Sequence, residues 1–273
     1  MKFDMGRAWN EATNLLSANR SLLAVVAGVF FFLPYAALMM FLPKQMAALQ
    51  GPTSGNPEAM TEAMMSLYAD IWWIFLVIGL IQAVGMIALL YLLSDRTRPT
   101  LGEALKHGFK YLLTYIGAQI LQGILFLVLA VIPFVVAQAG SVTAAVLLGI
   151  LVAVAFAYLF TKLSLSLPII AIESQGNPLT ALTRSWALTK GNSVRIFLFY
   201  VLLFIAMMVI SAVLSFIIGI VFAIGGTEIA MIGNGLFSGL VNAVVVTVFA
   251  AVLAAVYRQL AGPSAEAVSE AFE

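Results

Sequence analysis

The chain contains no cysteine, one histidine and few charged residues. The absence of cysteine among its 273 residues excludes disulfide bonds and thiolate metal sites. His107 alone cannot build a metal site that needs several histidines. Only 9% of the residues are charged and the net charge is +1, so we expect no nucleic-acid partner. Because a nucleophile–base pair, a phosphate-binding loop and zinc-ligand spacing are also missing, we predict a protein that is not an enzyme and has no metal or cofactor.

Long apolar runs dominate what the sequence does contain. Hydrophobic residues make up 63% of the chain, and the mean hydropathy is +1.09. Runs of about twenty apolar residues are long enough to cross a bilayer as helices. The first run is too long for the core of a signal peptide, so it is interpreted as a retained span. We predict an all-α integral membrane protein, a single membrane domain over 1–273, with six transmembrane helices in three hairpins. The spans lie at about 22–42, 71–93, 111–137, 142–162, 196–224 and 229–257.

Basic residues are distributed unevenly among the segments that join these spans. Six spans place both termini on the same side of the membrane, and twelve of the 13 Lys and Arg residues fall on that side. The exception is Lys44, in a polar loop at 43–69 whose second half, 57–68, can form a short helix. Cytoplasmic segments of membrane proteins carry the excess of basic residues. The termini are therefore predicted to be cytoplasmic.

The segment 168–192 carries signals for both ends of a short helix. Asn177 can cap a helix N-terminus, and Pro178 suits the first helical position, which needs no N–H donor. Gly191 can adopt the left-handed conformation that closes a helix, with Lys190 in the last turn near the negative end of the helix dipole. A helix of about thirteen residues is too short to span a membrane.

This short helix is also amphipathic. A basic face opposite an apolar face with a tryptophan is typical of a helix that lies in the membrane surface. Two interpretations stay open, an ordinary connector between two spans and a surface that binds a ligand or partner. The apolar half contains Leu179, Ala181, Leu182, Ser185, Trp186 and Leu188, and the other half contains Thr180, Thr183, Arg184, Ala187 and Lys190.

Similar short helices are predicted before the first, third and fifth spans. Alignment of Ala8, Ala104 and Ala181 brings Asn19, Tyr115 and Asn192 into register. Thr100 and Glu103 fit a capping box at the start of the second short helix. The repeat unit is then an interfacial helix followed by a transmembrane hairpin. The predicted units are about 1–93, 94–173 and 174–258, followed by a flexible cytoplasmic tail at 259–273.

Lys162 and Pro168 determine how the fourth span is placed. A lysine at the bilayer centre would cost roughly 2.5–3.5 kcal/mol on insertion scales. A span that begins at Val142 instead places Lys162 at the interface, where its ammonium group can reach water. Residues 163–172 would then lie in the headgroup region or against other helices, with a bend at Pro168.

Several polar residues and glycines are candidates for function or for packing. Glu173 is interpreted as a solvated carboxylate, or as a partner of Lys162, Arg184, Lys190 or a cationic headgroup. His107 is interpreted as an interface residue. Polar residues within spans usually form interhelical hydrogen bonds, and the alternative is a substrate path. The candidates within spans are Gln82, Gln119, Gln122, Lys162, Asn234 and Asn242. Glycines that predict close helix approach are Gly219, Gly225, Gly233, Gly235 and Gly239.

The segment between the two last hairpins resembles the bacterial membrane-domain family named after glycerophosphoryl diester phosphodiesterase. The resemblance implies a multi-pass bundle in a bacterial inner membrane, here a stand-alone bundle without the family's catalytic barrel. Phosphodiesterase activity is not implied, because that chemistry belongs to the separate soluble domain. The residues that carry the resemblance are Pro168, Glu173, Gly176, Asn177, Pro178, Ala181, Leu182, Ser185, Trp186, Leu188, Lys190 and Gly191. The site candidates in this segment are Pro168, Glu173, Gly176, Asn177, Pro178, Arg184, Ser185, Trp186, Lys190 and Gly191.

These observations predict a non-catalytic scaffold or accessory factor in the membrane. It would engage membrane lipids or a protein partner through residues 173–191, because a capped amphipathic helix with basic residues faces the anionic leaflet. The alternative is a transporter of small solutes or lipids that uses the polar residues within the spans.

Overall fold

A computed structural model describes residues 2–42, 57–94 and 99–262 of the chain. The described residues form helices joined by short turns, without a strand. Nine helices follow one another in the described residues. They are α1 (Met5–Ala18), α2 (Arg20–Leu42), α3 (Pro57–Leu92), α4 (Leu101–Gln138), α5 (Val142–Leu163), α6 (Ser166–Ile172), α7 (Pro178–Leu188), α8 (Ser193–Ala223) and α9 (Thr227–Ala261).

Six stretches of helix are long and apolar enough to cross a membrane. They are Arg20–Leu42, Met60–Leu92, Leu101–Gln138, Val142–Ile172, Ser193–Ala223 and Glu228–Ala261. Their mean hydropathy over the most apolar window is 2.3 or more. The prediction of an all-α protein with six transmembrane helices is confirmed. Each of the six stretches begins or ends beyond the predicted span on at least one side, most clearly Leu101–Gln138, where a capped polar turn begins the helix ten residues before the predicted span.

Two of the predicted connections differ from the observed ones. The polar loop was predicted to reach residue 69, but α3 begins at Pro57, and 57–68 form its first turns rather than a separate helix. The short helix predicted before the third span is continuous with that span as α4. A turn at Asn19, whose Nδ2 donates to the Leu15 carbonyl at 3.0 Å, and a turn at 189–192 separate the helices of the first and third units. The aligned residue of the second unit, Tyr115, lies within α4.

The predicted capping box and the three aligned alanines are present in the structure. Thr100 Oγ1 accepts from the Glu103 N–H at 3.3 Å, and Glu103 accepts from the Thr100 N–H at 2.8 Å. Ala8, Ala104 and Ala181 are all buried. The division into three repeat units stays a prediction. Of the predicted tail, 259–261 are helical, while 263–273, Lys44, Arg96 and Arg98 lie outside the described residues.

The chain divides into two compact units that share the long helices. Unit 1 comprises 1–19, 87–204 and 250–273, and unit 2 comprises 20–86 and 205–249. Helices α4 to α7 lie wholly within unit 1. Every described basic residue except Arg20 belongs to unit 1. This grouping matches the one-sided distribution of charge in the sequence.

Unit 2 is built on close approach of helices at small residues. A Cβ atom on Gly239 would lie 2.7 Å from the Ala36 Cβ and 2.9 Å from the Phe32 carbonyl oxygen, so only glycine fits there. Gly235 likewise faces Met40, and Gly233 faces Phe222. The predicted close approach is therefore present at these positions. The environments of the remaining two glycines differ, since Gly225 meets Ile229 of the next turn and Gly219 has nothing within 4 Å.

A π-helical turn interrupts α2 just before its proline. The turn covers Gly28–Phe32, and the Leu33 N–H bonds to the Gly28 carbonyl oxygen. Pro34 has no N–H to donate and its ring crowds the carbonyl four residues earlier, which is a known cause of helix irregularity. The wider turn leaves the Phe31 carbonyl free to accept from Asn242 Nδ2 at 3.3 Å.

Unit 1 contains the α4–α5 hairpin, against which α6 and α7 pack. The most apolar window of Leu101–Gln138 is 0% buried within the protein, and that of Val142–Ile172 is 6% buried. Helices with such exposed apolar surface are suited to a lipid environment. The short helices α6 and α7 therefore lie beside a surface that faces hydrocarbon.

Candidate functional site

The candidate site begins where the fourth span breaks into two helices. Helix α5 ends at Leu163, Ser164 and Leu165 form a turn, and α6 starts at Ser166. Pro168 cannot donate to the carbonyl of Ser164, and its ring crowds that group. The bend predicted at Pro168 thus occurs one turn earlier. Nearly all of α6 is buried, so 163–172 lie against other helices, one of the two predicted locations.

Ser185 of α7 completes the hydrogen bonds of this break. Its Oγ donates to the Lys162 carbonyl oxygen at 2.7 Å and accepts from the Leu165 N–H at 3.1 Å. The side chain is 0% exposed. Unpaired backbone groups in such a buried position are costly, so Ser185 joins α7 to the break between α5 and α6. The predicted apolar face of α7 is in fact used here for a polar contact.

The start of α7 agrees with its sequence signals. Asn177 Oδ1 accepts from the N–H groups of Leu179 at 2.9 Å and Thr180 at 3.3 Å, and Pro178 occupies the first helical turn. Thr114 of α4 donates to the Gly176 carbonyl at 3.1 Å. These bonds tie the entry to α7 onto α4, and they explain why the 173–177 turn has a defined path.

Glu173 accepts hydrogen bonds from two side chains that are distant in sequence. The Arg184 Nε lies 2.6 Å from both carboxylate oxygens, and the Tyr257 hydroxyl donates to Oε1 at 2.7 Å. Of the predicted partners, Arg184 is the one that the structure shows. The hydrogen bond to Glu173 raises the pKa of the Arg184 guanidinium above its usual value, so Arg184 stays charged at physiological pH.

Lys162 is largely covered by the protein, and its predicted position at the interface with the ammonium group in reach of water stays a prediction. The residue is 3% exposed, and its Nζ lies 5.5 Å from the ring centre of Tyr158 and 5.4 Å from that of Trp186. The break after Leu163 folds α7 back over the lysine, which sequence spacing could not show. Aromatic rings attract a cation through their negative faces. Within the described residues, Lys162 has no ion pair with a carboxylate.

The end of α7 differs slightly from the prediction. The helix ends at Leu188, and Thr189, Lys190, Gly191 and Asn192 form the turn into α8. Gly191 has a φ of +81°, the left-handed conformation that its position predicts. Lys190 is exposed, in the turn rather than in the last helical turn.

An apolar groove of about 310 Å³ runs beside α7. It is lined by Leu121, Gln122 and Leu125 of α4, Leu163 of α5, and Leu182, Thr183 and Trp186 of α7. Trp186 is 40% exposed and Leu179 is 60% exposed. The predicted apolar face is therefore divided, with Ala181 and Ser185 buried against the protein and the larger side chains at the groove or the surface.

The polar residues within the spans form no single cluster. Gln122 Nε2 lies within hydrogen-bonding distance of Gln119 Oε1 at 3.2 Å and of Ser166 Oγ at 3.3 Å. In unit 2, the Asn242 side chain donates to the Phe31 carbonyl oxygen of α2, which is an interhelical hydrogen bond of the predicted kind. Gln82 is half-buried and Asn234 is exposed.

Several side chains that matter at the site were not predicted. Tyr257 binds Glu173, and Asn192, used only as an alignment mark, accepts from the Phe3 N–H at 2.9 Å. His107 stacks on Tyr91 with ring centres 3.9 Å apart, and its Nε2 is 2.8 Å from the Ala171 carbonyl oxygen. These contacts join residues that are far apart in sequence, so no local pattern predicts them. The sequence shows only that aromatic and basic residues are clustered near the ends of spans.

The site combines an internal ion pair, a cation over two rings, an apolar groove and an exposed lysine. Among the described residues, no group of three histidines and carboxylates is placed to hold a metal ion.

Comparison with known proteins identifies one similarity. Residues 134–261 match the family model described as the membrane domain of glycerophosphoryl diester phosphodiesterase. The matched region runs from the end of α4 to the end of α9 and includes α5, α6 and α7 with Lys162, Glu173, Arg184 and Ser185, whereas the α4 residues that line the groove precede it. The predicted resemblance is confirmed over these residues, and the chain is a multi-pass membrane protein. Neither the curated proteins nor the solved structures contain a match.

Proposed function

We propose, from the likeness of residues 134–261 to a membrane domain, that this chain is a non-catalytic scaffold or accessory factor. Its working surface is the segment 173–191, which engages lipid or a partner protein. The observation that carries the proposal is a short amphipathic helix that is firmly attached on one face and exposed on the other. We also propose that this segment and both termini are cytoplasmic, in a bacterial inner membrane.

The attachment of α7 supports a docking role. Ser185, Asn177 and Arg184 each make hydrogen bonds that orient the helix, so its exposed side chains project in a defined direction. A preorganised surface loses less conformational entropy when it binds. The side chains of Leu179 and Lys190 are exposed and take no part in the hydrogen bonds that attach α7, so they can meet a ligand.

The distribution of charge supports the proposed side of the membrane. The described basic residues are concentrated in unit 1, which also contains α1 and α7. The cytoplasmic leaflet carries anionic lipids, and each nearby Lys or Arg contributes about 1 kcal/mol of attraction. Lys190 and Arg195 are both exposed at this surface.

A transporter is the second candidate, and one observation favours it. Gln122 lines the apolar groove and makes contact with Gln119 and Ser166. Polar groups in an apolar groove can mark a substrate path. A transporter would lose its substrate flux when Gln119, Gln122 and Asn242 are replaced by leucine, whereas a docking surface on α7 would keep its contacts.

Photo-crosslinking in the native membrane tests the docking surface. A benzophenone amino acid replaces Leu179 on α7, and a matched variant carries it at Leu113, an apolar residue of α4 that is 79% exposed. We expect adducts at residue 179 that are absent at residue 113, and we expect Lys190→Glu to remove them. Arg184→Glu is not suitable alone, because it also breaks the ion pair with Glu173.

The charge-swapped double variant serves as the control for that ion pair. Glu173→Arg with Arg184→Glu keeps opposite charges together, so the position of α7 and the adducts at residue 179 should be retained. If both benzophenone positions give the same adducts and Lys190→Glu changes neither, α7 is an ordinary connector and the proposal is wrong.

A further inference from the structure

The groove beside α7 has the composition of an acyl-chain site. Four of its lining residues are leucines, and its polar residues are Gln122 and Thr183. Its volume of about 310 Å³ is at the lower end of the range for ligand pockets, which suits one segment of a chain rather than a whole lipid. The apolar surface of α4 and α5 beyond the groove is exposed. An acyl chain in the groove could therefore stay in contact with the hydrocarbon of the membrane.

A cation without an anionic partner lies beside this groove. Lys162 lies in the last turn of α5, immediately before the lining residue Leu163, and its Nζ is above the ring of Trp186, another lining residue. Burial of a cation is costly unless an anion compensates its charge. Within the described residues the rings of Tyr158 and Trp186 provide only partial compensation. Lys190 interacts electrostatically with Lys162 and adds positive charge.

We infer that this groove binds an anionic phospholipid, with one acyl chain against the α4, α5 and α7 leucines and the phosphate near Lys162 and Lys190. The inference rests on the proposed function and names the ligand class for the same surface. A lipid fits better than a peptide helix because the groove is small, about 310 Å³, and continuous with exposed apolar surface of α4 and α5. The two positive charges favour an anionic over a zwitterionic headgroup.

Native mass spectrometry of the purified full chain tests this inference. The protein is mixed with equal amounts of dioleoylphosphatidylglycerol and dioleoylphosphatidylcholine, which have the same chains and different net charge. We expect preferential retention of phosphatidylglycerol by the wild type. Excess inorganic phosphate should not displace the phosphatidylglycerol, because its acyl chain also contributes to binding. Displacement by phosphate, or equal retention of the two lipids, would overturn the inference.

Two variants locate the bound lipid. Leu182→Trp fills the groove, and Lys162→Gln removes the cation, so each should weaken phosphatidylglycerol binding roughly tenfold, the effect of one lost charged or well-packed contact. Leu179→Trp adds the same side chain on α7 outside the groove and should bind as the wild type does. Binding by folded Leu182→Trp and Lys162→Gln at the wild-type level would also overturn the inference.

The lipid test and the crosslinking test can fail independently. If residue 179 crosslinks to a protein while phosphatidylglycerol is not retained, the lipid site is wrong and the docking surface stands. If the lipid is retained while residue 179 gives no specific adduct, the groove binds lipid and the part of the proposed function that assigns a protein partner to α7 is wrong.

Discussion

The contact between α5, α6 and α7 in unit 1 and the contact between α2 and α9 in unit 2 are held in opposite ways. In unit 1, polar side chains complete hydrogen bonds that broken helices leave open, as Ser185 does for Lys162 and Leu165. In unit 2, glycines let helix backbones meet, as Gly239 does against Phe32 and Ala36. The first contact is damaged when atoms are removed, and the second is damaged when atoms are added.

This difference depends on whether the backbone N–H and C=O groups at each contact already have hydrogen-bond partners. An irregular helix end needs partners for its carbonyl and N–H groups, because water is not available in the protein interior. In a continuous helix these groups already bond to one another along the helix. The contact between two such helices is therefore stabilised mainly by dispersion between closely packed atoms. Residues that recognise ligands are also positioned more easily at a break, where side chains converge from several helices.

Of the substitutions that test this comparison, Gly239→Ala should cause the largest loss of stability. The added methyl group would meet backbone atoms, so the helices must separate, and we expect a loss of roughly 1–3 kcal/mol of stability. Gly219→Ala is the matched control, since nothing lies within 4 Å of its Cβ position. Unfolding in mixed micelles of mild detergent and dodecyl sulfate measures both. Equal stability of the two variants would show that unit 2 does not depend on close approach.

Replacing Ser185 by alanine should have the next largest effect, through loss rather than gain of atoms. The Lys162 carbonyl and the Leu165 N–H would be buried without a partner, at a cost of about 1–3 kcal/mol for such groups, and we expect the lower part of that range if α7 shifts. Ser17→Ala, at an exposed position of α1, should change stability little. Hydrogen exchange at Leu165 provides a local readout. If exchange at this amide is unchanged in Ser185→Ala, the role assigned to the hydroxyl is wrong.

Replacing Asn242 by leucine should have the smallest effect. Its hydrogen bond to the Phe31 carbonyl is a single polar contact between helices, which contributes on average about 0.6 kcal/mol in membrane proteins. Asn234→Leu, at an exposed position, should show no loss. The same micelle unfolding assay compares them. A loss from Asn242→Leu as large as that from Gly239→Ala would mean that unit 2 also relies on polar contacts.

The helix ends and spans were predictable because their signals are local. The cap at Asn177, the proline at 178 and the left-handed Gly191 each act within a few residues of their own position. Hydrophobic length alone identified six spans. The predicted boundary between the second short helix and the third span is not observed. No residue between 101 and 111 interrupts the hydrogen bonds along the helix backbone, so α4 is continuous.

The candidate site was predictable only in part, for a physical reason. Glu173 and Arg184 were both recognised, but Tyr257 reaches the same carboxylate from 84 residues away, at a separation that no pattern in the chain indicates. Lys162 was placed at an interface by its position along a span. Its burial depends on α7 folding back across it, which is a long-range event.

The amino-acid sequence by itself determined the helical class, the six spans, the caps of α7 and the uneven distribution of charge, because all of these arise from the backbone and from transfer of side chains between water and hydrocarbon. Tertiary structure decided which carboxylate meets which guanidinium, that Ser185 completes a broken helix, and that Lys162 lies over two rings beside a groove. These outcomes depend on distances between helices, and distances are set by packing of the whole unit rather than by the neighbours of any one residue.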